Sequence, residues 1–208
     1  MPYEEGGFRQ KAQKGYYSVM EKIAHPLVSA GVSPNHITVA GMLLSLAAGI
    51  FFAAGEIFWG GMLLWASGLM DPIDGTVARL SGKVTRFGAL FDSTLDRYSE
   101  FFIFFGFLVY FKSGRMLIVV MLALMGSIMV SYIKARAESL GQKEFRGLMQ
   151  RPERIILLIA GTVLNGPINH YLLGGCQDCT LKGAIVILAV LTNLTALQRL
   201  MHCRKELA

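Results

Sequence analysis

The sequence predicts an all-α integral membrane protein with six transmembrane helices and an N-terminal amphipathic helix at the membrane interface. Hydrophobic residues make up 53% of the chain, and only 16% of its residues are charged, whereas soluble domains average about 25% charged residues. The third observation is a series of apolar runs, each near the roughly 20 residues that cross a bilayer as a helix. These runs lie at residues 36–54, 57–71, 89–111, 115–133, 155–173 and 181–198.

The chain before the first apolar run is predicted to be a separate unit, residues 1–32, followed by a six-helix domain over residues 33–208. Within the first unit, apolar side chains recur on one helical stripe between Lys and Glu residues, as in a helix that lies on a membrane surface. A short arm packed on the membrane domain would show the same pattern. No apolar core of a cleavable signal peptide precedes residue 36, so we expect the first span to direct insertion.

Basic residues predict the orientation. If the N-terminus is cytoplasmic, all of the 20 Lys and Arg residues fall on the cytoplasmic side except Lys112, Arg115 and Lys182. The positive-inside rule therefore predicts that both termini are cytoplasmic. We expect a multi-pass protein of the inner cell membrane. The net charge of +6 lies on that face, where it suits anionic lipids and phosphorylated substrates. Nucleic acid is not an expected partner of so apolar a chain.

Two pairs of carboxylates lie where apolar runs end or begin. Asp71 and Asp74 form one pair, and Asp92 and Asp96 form the other. Residues three or four apart share one face of a helix, so each pair points in one direction. Four carboxylates at close range cannot all stay ionised without cations between them. Acids inside spans cost about 2.5–3.5 kcal/mol each at the centre of a bilayer, so a functional site is favoured, and all-oxygen ligation suits Mg²⁺.

The segment between the two pairs combines small residues, which let a ligand approach the backbone, with basic residues that attract anions. The small residues are Gly75, Ala78 and Gly88, and the basic residues are Arg79, Lys83 and Arg86. This composition indicates a site for a phosphate ester on a metal ion. Pro72 cannot donate a backbone hydrogen bond to the carbonyl of Gly68, so we expect a kink or a wide turn before the acids.

This stretch resembles the signature of the CDP-alcohol phosphatidyltransferases, D-x2-D-G-x2-A-R-x8-G-x3-D-x3-D. All eight fixed positions and all spacings are met within residues 71–96, which makes the resemblance specific. It implies that Asp71, Asp74, Asp92 and Asp96 bind two Mg²⁺ or Mn²⁺ ions. It also implies that Asp96 is the general base and that the enzyme is a homodimer.

The same resemblance implies a site for the donor lipid, CDP-diacylglycerol. The family carries the pattern P-N-x-x-T at the start of the first span, which residues 34–38 match. From the residues alone, Ser33 or Asn35 indicates only a helix N-cap. The implied donor-binding residues are Asn35, Thr38, Gly75, Ala78, Arg79, Thr85 and Gly88.

A narrower resemblance, to the bacterial phosphatidylinositol phosphate synthases, concerns the acceptor. It rests on SYIKARAE at residues 131–138, RPER at 151–154 and QR at 198–199. It implies that Lys134, Arg154 and Arg199 hold the phosphate of inositol 1-phosphate. From the residues alone, basic side chains at helix ends are ordinary topology markers. The implied reaction joins CDP-diacylglycerol and inositol 1-phosphate to give phosphatidylinositol phosphate and CMP.

Three alternatives remain open at this point. Within the family, the acceptor could be glycerol 3-phosphate, serine or another alcohol, although an acceptor without phosphate would leave the three cations without a purpose. Membrane prenyltransferases also hold Mg²⁺-diphosphate on paired aspartates, but six spans and the DG-x2-AR core argue against them. A cation transporter would place its acids near mid-membrane, whereas these acids lie at cytoplasmic helix ends beside arginines.

Two further segments carry weaker expectations. Cys176 and Cys179 lie in a predicted external loop, where a disulfide or half of a metal site is conceivable, but a loop without a special role is favoured. The aromatic run at residues 101–111 is expected to face lipid or another subunit.

Overall fold

The computed structural model describes residues 7–142, 147, 149–174 and 176–207, with the side chains of residues 7–17 and 205–207 outside the description. Every described secondary-structure element is an α-helix, which confirms the predicted all-α class. The helices are α1 Gly7–Ser29, α2 Pro34–Ala54, α3 Ile57–Leu80, α4 Arg86–Phe111, α5 Arg115–Ser139, α6 Arg151–Val163, α7 Asn165–Tyr171 and α8 Cys179–Leu207.

The long helices form a bundle in which α2 packs against α3 and α4, α5 packs against α8, and α6 packs against α3 and α8. Because the connections are short, successive helices run in opposite directions. The N-termini of α2, α4 and α6 therefore meet the C-terminal parts of α3, α5 and α8 at one end of the bundle. We call this the charged end, and we call the opposite end, which holds α7 and residues 110–114 and 176–180, the distal end.

Small residues set the closest helix contacts, as expected for association in lipid. Gly49 of α2 and Gly106 of α4 face each other so closely that a Cβ atom on either would overlap the backbone of the other helix. A Cβ atom on Gly126 of α5 would overlap Thr192 of α8. These glycines therefore allow the close approach of α2 to α4 and of α5 to α8.

Three of the described helices are long and apolar enough to cross a membrane, namely α2, α5 and residues Cys179–Arg204 of α8. They support a membrane protein, while the full count of six spans stays a prediction. An unbroken span at residues 155–173 is wrong, since α6 ends at Val163 and α7 begins at Asn165. Pro167 lacks the N–H that would continue the helical ladder across this point.

Two other local expectations are corrected by the helices. Pro72 lies inside α3, which continues to Leu80, so no wide turn precedes the acids within this helix, while a kink at Pro72 stays a prediction. Phe104 and Phe107 are buried, and the ring of Phe107 stacks on Phe52 with centroids 4.4 Å apart. The aromatic run thus supplies part of the core, because α2 covers one face of α4, and only its other face is exposed.

Helix α1 packs on the bundle through Met20 and Ala24, which are buried against Ile37, Ile73 and Val77. Val19 and Ile23, on a different face of α1, are exposed, as a helix at a membrane interface requires. Both interpretations of the sequence therefore have support. The division between residues 1–32 and 33–208 stays a prediction, and residues 1–6 lie outside the described residues.

The distal end is held by a polar network. Asp178 accepts hydrogen bonds from the Tyr110 hydroxyl at 2.5 Å and from the Asn165 amide at 2.8 Å. Asn169 donates to Asn165 at 2.8 Å and accepts from the Thr180 hydroxyl at 2.7 Å. Next to this network the Sγ atoms of Cys176 and Cys179 are paired as a disulfide. The preference for a loop without such a role is therefore wrong.

Candidate active site

Three carboxylates converge at the charged end. Asp71 and Asp74, on α3, and Asp92, on α4, each offer an oxygen atom, and these oxygens lie within 4.8 Å of one another. The short turn between α3 and α4 brings the two pairs together, as the spacing predicts. One oxygen of Asp92 is buried without a hydrogen-bond partner in the described part of the chain. A convergent set of oxygens with unused acceptor capacity fits a hard divalent cation.

Asp96 is linked to this three-acid cluster by an arginine. Arg151, the first residue of α6, forms an ion pair with Asp96 through Nη2 and donates from Nη1 to Asp71 Oδ1 at 2.8 Å. Asp96 and Arg151 line both the small pocket that contains the cluster and a larger cavity beside it. The base predicted from the resemblance thus lies between two compartments, and its role as a fourth ligand stays a prediction.

The surroundings of Asp74 disfavour its ionised form, which a bound cation would stabilise. Asp74 lies beyond the predicted span at residues 57–71, and burial, with smaller contributions from Asp92 and Asp71, raises its pKa to about 7. A hydrogen bond from Thr38 Oγ1 to Asp74 Oδ2, 2.8 Å long, opposes this shift. A bound divalent cation would favour the ionised carboxylate and reverse the shift. Thr38 therefore acts on the cluster directly.

The predicted donor-binding residues divide into two groups around the cluster. Thr85 caps α4 by accepting from Gly88 N at 2.9 Å, and a Cβ atom on Gly88 would lie 3.9 Å from Asn35 Oδ1. Asn35, Thr85 and Gly88 are therefore neighbours. Of the two candidate N-cap residues of α2, the structure assigns Ser33.

The second group lies along α3. Arg79 is exposed and its Nη2 donates to Thr76 Oγ1 at 3.0 Å. A Cβ atom on Gly75 would lie 3.5 Å from Arg79 Nη1, and Ala78 is half-buried on the same helix. The structure thus places Gly75 and Arg79 side by side, with the guanidinium available at the surface.

The larger cavity, about 610 Å³, contains all three predicted acceptor cations. Arg154 and Arg199 are each only 3% exposed, and each has a buried Nε without a hydrogen-bond partner among the described residues. Lys134 is exposed and lies 3.7 Å from Glu138. The cations come from α5, α6 and α8, and the same cavity is lined by Asp96. An anion is the ligand that this wall would stabilise.

A sequence profile of the CDP-alcohol phosphatidyltransferases matches residues 31–195 of this chain. The chain belongs to that family. The resemblance seen in the signature is thereby confirmed, and this phosphatidyltransferase is neither a prenyltransferase nor a cation transporter.

Similar proteins agree with this assignment. The phosphatidylinositol phosphate synthase of Mycobacteroides abscessus is 32% identical over 91% of this chain and 85% of its own length. The archaetidylinositol phosphate synthase of Methanothermobacter thermautotrophicus is 36% identical over 91% and 92% of the two chains. The crystal structure of the Mycobacterium tuberculosis phosphatidylinositol phosphate synthase with CDP-DAG bound has a TM-score of 0.78 and 32% identity, covering 89% of this chain and 94% of that one.

A second crystal structure of the M. tuberculosis enzyme, in complex with manganese and citrate, also has a TM-score of 0.78 and 32% identity, and covers 88% of both chains. Together with the three-acid cluster, it supports a divalent metal in this phosphatidyltransferase. The protein is thus a metal-dependent membrane transferase of phospholipid synthesis.

Sequence reasoning missed two side chains that shape the site of this phosphatidyltransferase. Arg151 was noted only as a basic residue and as part of the RPER match, yet it contacts both Asp71 and Asp96. Glu100 was not singled out, yet it is buried and paired with Arg154 at 2.6 Å. A signal was present for Glu100, because it follows Asp96 by four residues and so shares its helix face.

Proposed function

We propose that this phosphatidyltransferase transfers the phosphatidyl group of CDP-diacylglycerol to inositol 1-phosphate, giving phosphatidylinositol phosphate and CMP. The observation that carries the proposal is the larger cavity, in which Lys134, Arg154 and Arg199 line the wall together with Asp96. A phosphate monoester bound by the three cations would lie beside a carboxylate that can accept a proton. The relatives named phosphatidylinositol phosphate synthase support the same acceptor.

In the proposed reaction, the acceptor hydroxyl attacks the β-phosphorus of the donor. A new P–O bond forms to the inositol oxygen, the P–O bond to CMP breaks, and the hydroxyl proton passes to Asp96. Asp71, Asp74 and Asp92 would hold the cations, and Asp96 would complete their ligand set. Two Mg²⁺ or Mn²⁺ ions bound there would offset the charge of the diphosphate and stabilise the departing CMP.

The donor would be held at the other side of the cluster. We propose that Asn35, Thr85 and Gly88 contact the nucleotide, that Gly75 and Ala78 allow its close approach, and that Arg79 neutralises its phosphates. Thr38 would act mainly through Asp74. Since Asp96 lines both the small pocket with the acids and the larger cavity, both substrates could reach the base together, and positioning would supply much of the rate.

The deciding experiment is an acceptor screen. Purified protein would receive labelled CDP-diacylglycerol and, in turn, inositol 1-phosphate, glycerol 3-phosphate, serine and free inositol, with CMP release as the measurement. We expect strong release only with inositol 1-phosphate. Equal release with free inositol would show that the cations do not recognise the acceptor phosphate, and preference for glycerol 3-phosphate would reassign the acceptor.

A second candidate concerns the lipid of the donor. The similarity to an archaetidylinositol phosphate synthase, at 36% identity, favours an archaetidyl donor with the same acceptor. The cavity that carries the acceptor proposal does not distinguish the two donors. The same assay with the diacyl and the isoprenoid ether CDP-lipid, compared through kcat/KM, would decide between them.

We also propose that the charged end faces the cytoplasm at the inner membrane, with both termini on that side, and that the protein is a homodimer. The orientation is supported by the distribution of Lys and Arg, and the dimer by the family resemblance. Accessibility of single cysteines introduced at residues 56 and 153, on opposite ends of the bundle, tests the orientation. Mass measurement in lipid nanodiscs tests the dimer.

A further inference from the structure

Glu100 is a buried acid for which the reaction has no use. It lies on α4, one turn after Asp96 and two turns after Asp92, and is 8% exposed. Carboxylates are rarely buried without a partner because desolvation is costly. Glu100 is not among the described residues that line the larger cavity. We therefore infer a role for Glu100 from the side chains that it contacts.

Those neighbours are two arginines of the cavity wall. Arg154 Nη2 lies 2.6 Å from Glu100 Oε1, and Arg97 Nη1 lies 3.0 Å from Glu100 Oε2. Both arginines line the larger cavity. Glu100 therefore lies behind the cavity wall, and its carboxylate contacts two arginines that line the cavity. One of these arginines is on its own helix and the other is on α6.

The two arginines depend on Glu100 to different degrees. Arg154 also donates to the carbonyl of Ser127 at 3.0 Å and contacts Ser131 Oγ at 3.4 Å, but both of these partners are neutral. At 3% exposure, its guanidinium loses most of its hydration, and Glu100 provides the ion pair that compensates. The side chain of Arg97 is 27% exposed and retains contact with solvent.

We propose that Glu100 is a positioning residue of the acceptor site, which holds Arg154 where it receives the phosphate of the acceptor. This inference rests on the proposed function of the cavity. Without Glu100, a charged side chain is left inside the protein with neutral partners, and it relieves this cost by leaving the wall. The cavity then loses a pre-organised cation, and the acceptor loses affinity.

A purely electrostatic role of Glu100 would change acceptor binding in the opposite direction. If Glu100 acted only as a negative charge near the phosphate, its removal would raise the positive potential of the cavity and strengthen acceptor binding. Glu100→Gln keeps the size of the side chain and removes the charge, whereas Glu100→Asp keeps the charge and shortens the reach. The direction of change in acceptor KM therefore separates positioning from simple charge.

The experiment measures kcat and the KM of each substrate for the wild type, Glu100→Gln and Glu100→Asp. Glu153→Gln is the matched control, because it makes the same chemical change at an exposed glutamate next to Arg154. We expect Glu100→Gln to raise the acceptor KM about tenfold, which corresponds to the loss of one hydrogen bond to a charged group. The donor KM should stay within about twofold of the wild-type value. Glu153→Gln should leave both values unchanged.

An acceptor KM at or below that of the wild type in Glu100→Gln overturns the proposal. So does an equal rise in both KM values, which indicates general damage to the fold. If Glu100→Gln does not yield folded protein, the acceptor KM and the donor KM of Glu100→Asp test the proposal instead. In that variant we expect a rise of about threefold in the acceptor KM. No rise in that variant also overturns the proposal.

A double-mutant cycle tests the route through Arg154. In the Arg154→Gln background, removal of Glu100 should change the acceptor KM by less than about twofold, since the partner is already gone. Full additivity overturns the positioning role. The acceptor used throughout is the one that the wild type prefers in the screen. Failure of inositol 1-phosphate in that screen therefore counts against the proposed function, and the Glu100 variants are judged separately.

Discussion

The two ends of the bundle both bury polar side chains between helices, but they satisfy them differently. At the distal end, Asp178 accepts from Tyr110 and Asn165, and Asn169 accepts from Thr180, so donors and acceptors match within the protein. At the charged end, one oxygen of Asp92 and the Nε atoms of Arg154 and Arg199 are buried without partners in the described part of the chain.

The difference teaches where function lies in a bundle of this kind. A buried polar group without a partner costs about 1–3 kcal/mol, and a ligand or a reaction that uses the group is one explanation for its persistence. The distal network stabilises the fold because its donors and acceptors pair with one another. At the charged end, the three-acid cluster can still bind cations and the basic wall of the larger cavity can still bind an anion. Substitutions at the two ends should therefore have separable effects.

The largest effect is expected for Asp92→Asn. This change removes a charge from the three-acid cluster, so turnover should fall about 10³-fold or more, since a catalytic metal supplies several kcal/mol of stabilisation to the transition state. CMP release at saturating Mg²⁺ or Mn²⁺ measures it. The thermal unfolding midpoint should not fall, because an unmatched buried acid is removed. Near-normal turnover would falsify the assignment of the cluster as a metal site.

Asp96→Asn should separate proton transfer from donor binding. We expect transfer to fall about 10²-fold or more, the usual contribution of a general base, while binding of CDP-diacylglycerol is retained. Equilibrium binding of labelled donor and single-turnover transfer, measured on the same preparation, test this. If transfer persists with its normal pH dependence, another group accepts the proton.

Arg199→Gln should act on the acceptor alone. Loss of a charge-assisted hydrogen bond to a phosphate is worth about 1.5–3 kcal/mol, so the acceptor KM should rise about 10–100-fold. The donor KM should not change. Arg136→Gln is the matched control, since Arg136 is an exposed arginine at the same end that does not line the cavity among the described residues. A rise in the donor KM instead would assign the basic wall to the nucleotide lipid.

Asp178→Asn, at the distal end, should leave catalysis unchanged and weaken the fold. The amide oxygen can still accept from Asn165 and the amide nitrogen can donate to the Tyr110 hydroxyl, but both hydrogen bonds lose their charged acceptor, at a cost of about 1 kcal/mol or more. A lower thermal unfolding midpoint in detergent, with both KM values at the wild-type level, is the expected result. A changed acceptor KM at an unchanged midpoint would show that the two ends are coupled.

The sequence by itself determined the membrane class and the pairing of the four aspartates on helix faces, and it supplied the distribution of Lys and Arg on which the proposed orientation rests. These features are local: spacings of three and four place Asp71 with Asp74 and Asp92 with Asp96 on helix faces, and hydropathy is a property of each segment alone. The break at Leu164 also had a local signal in Pro167, but the apolar run concealed it. The signature segment folds back on itself through one short turn, so its geometry needs little help from the remaining chain.

Only the tertiary structure decided which acids stay together and which cations face them. Arg151 reaches Asp96 from another helix and links it to Asp71 of the three-acid cluster. Glu100 is paired with Arg154 across 54 positions of the chain. Likewise, Phe107 is buried because α2 happens to cover that face of α4. Such pairs have no spacing rule, because loop lengths and helix packing, not the period of any single helix, bring the partners together.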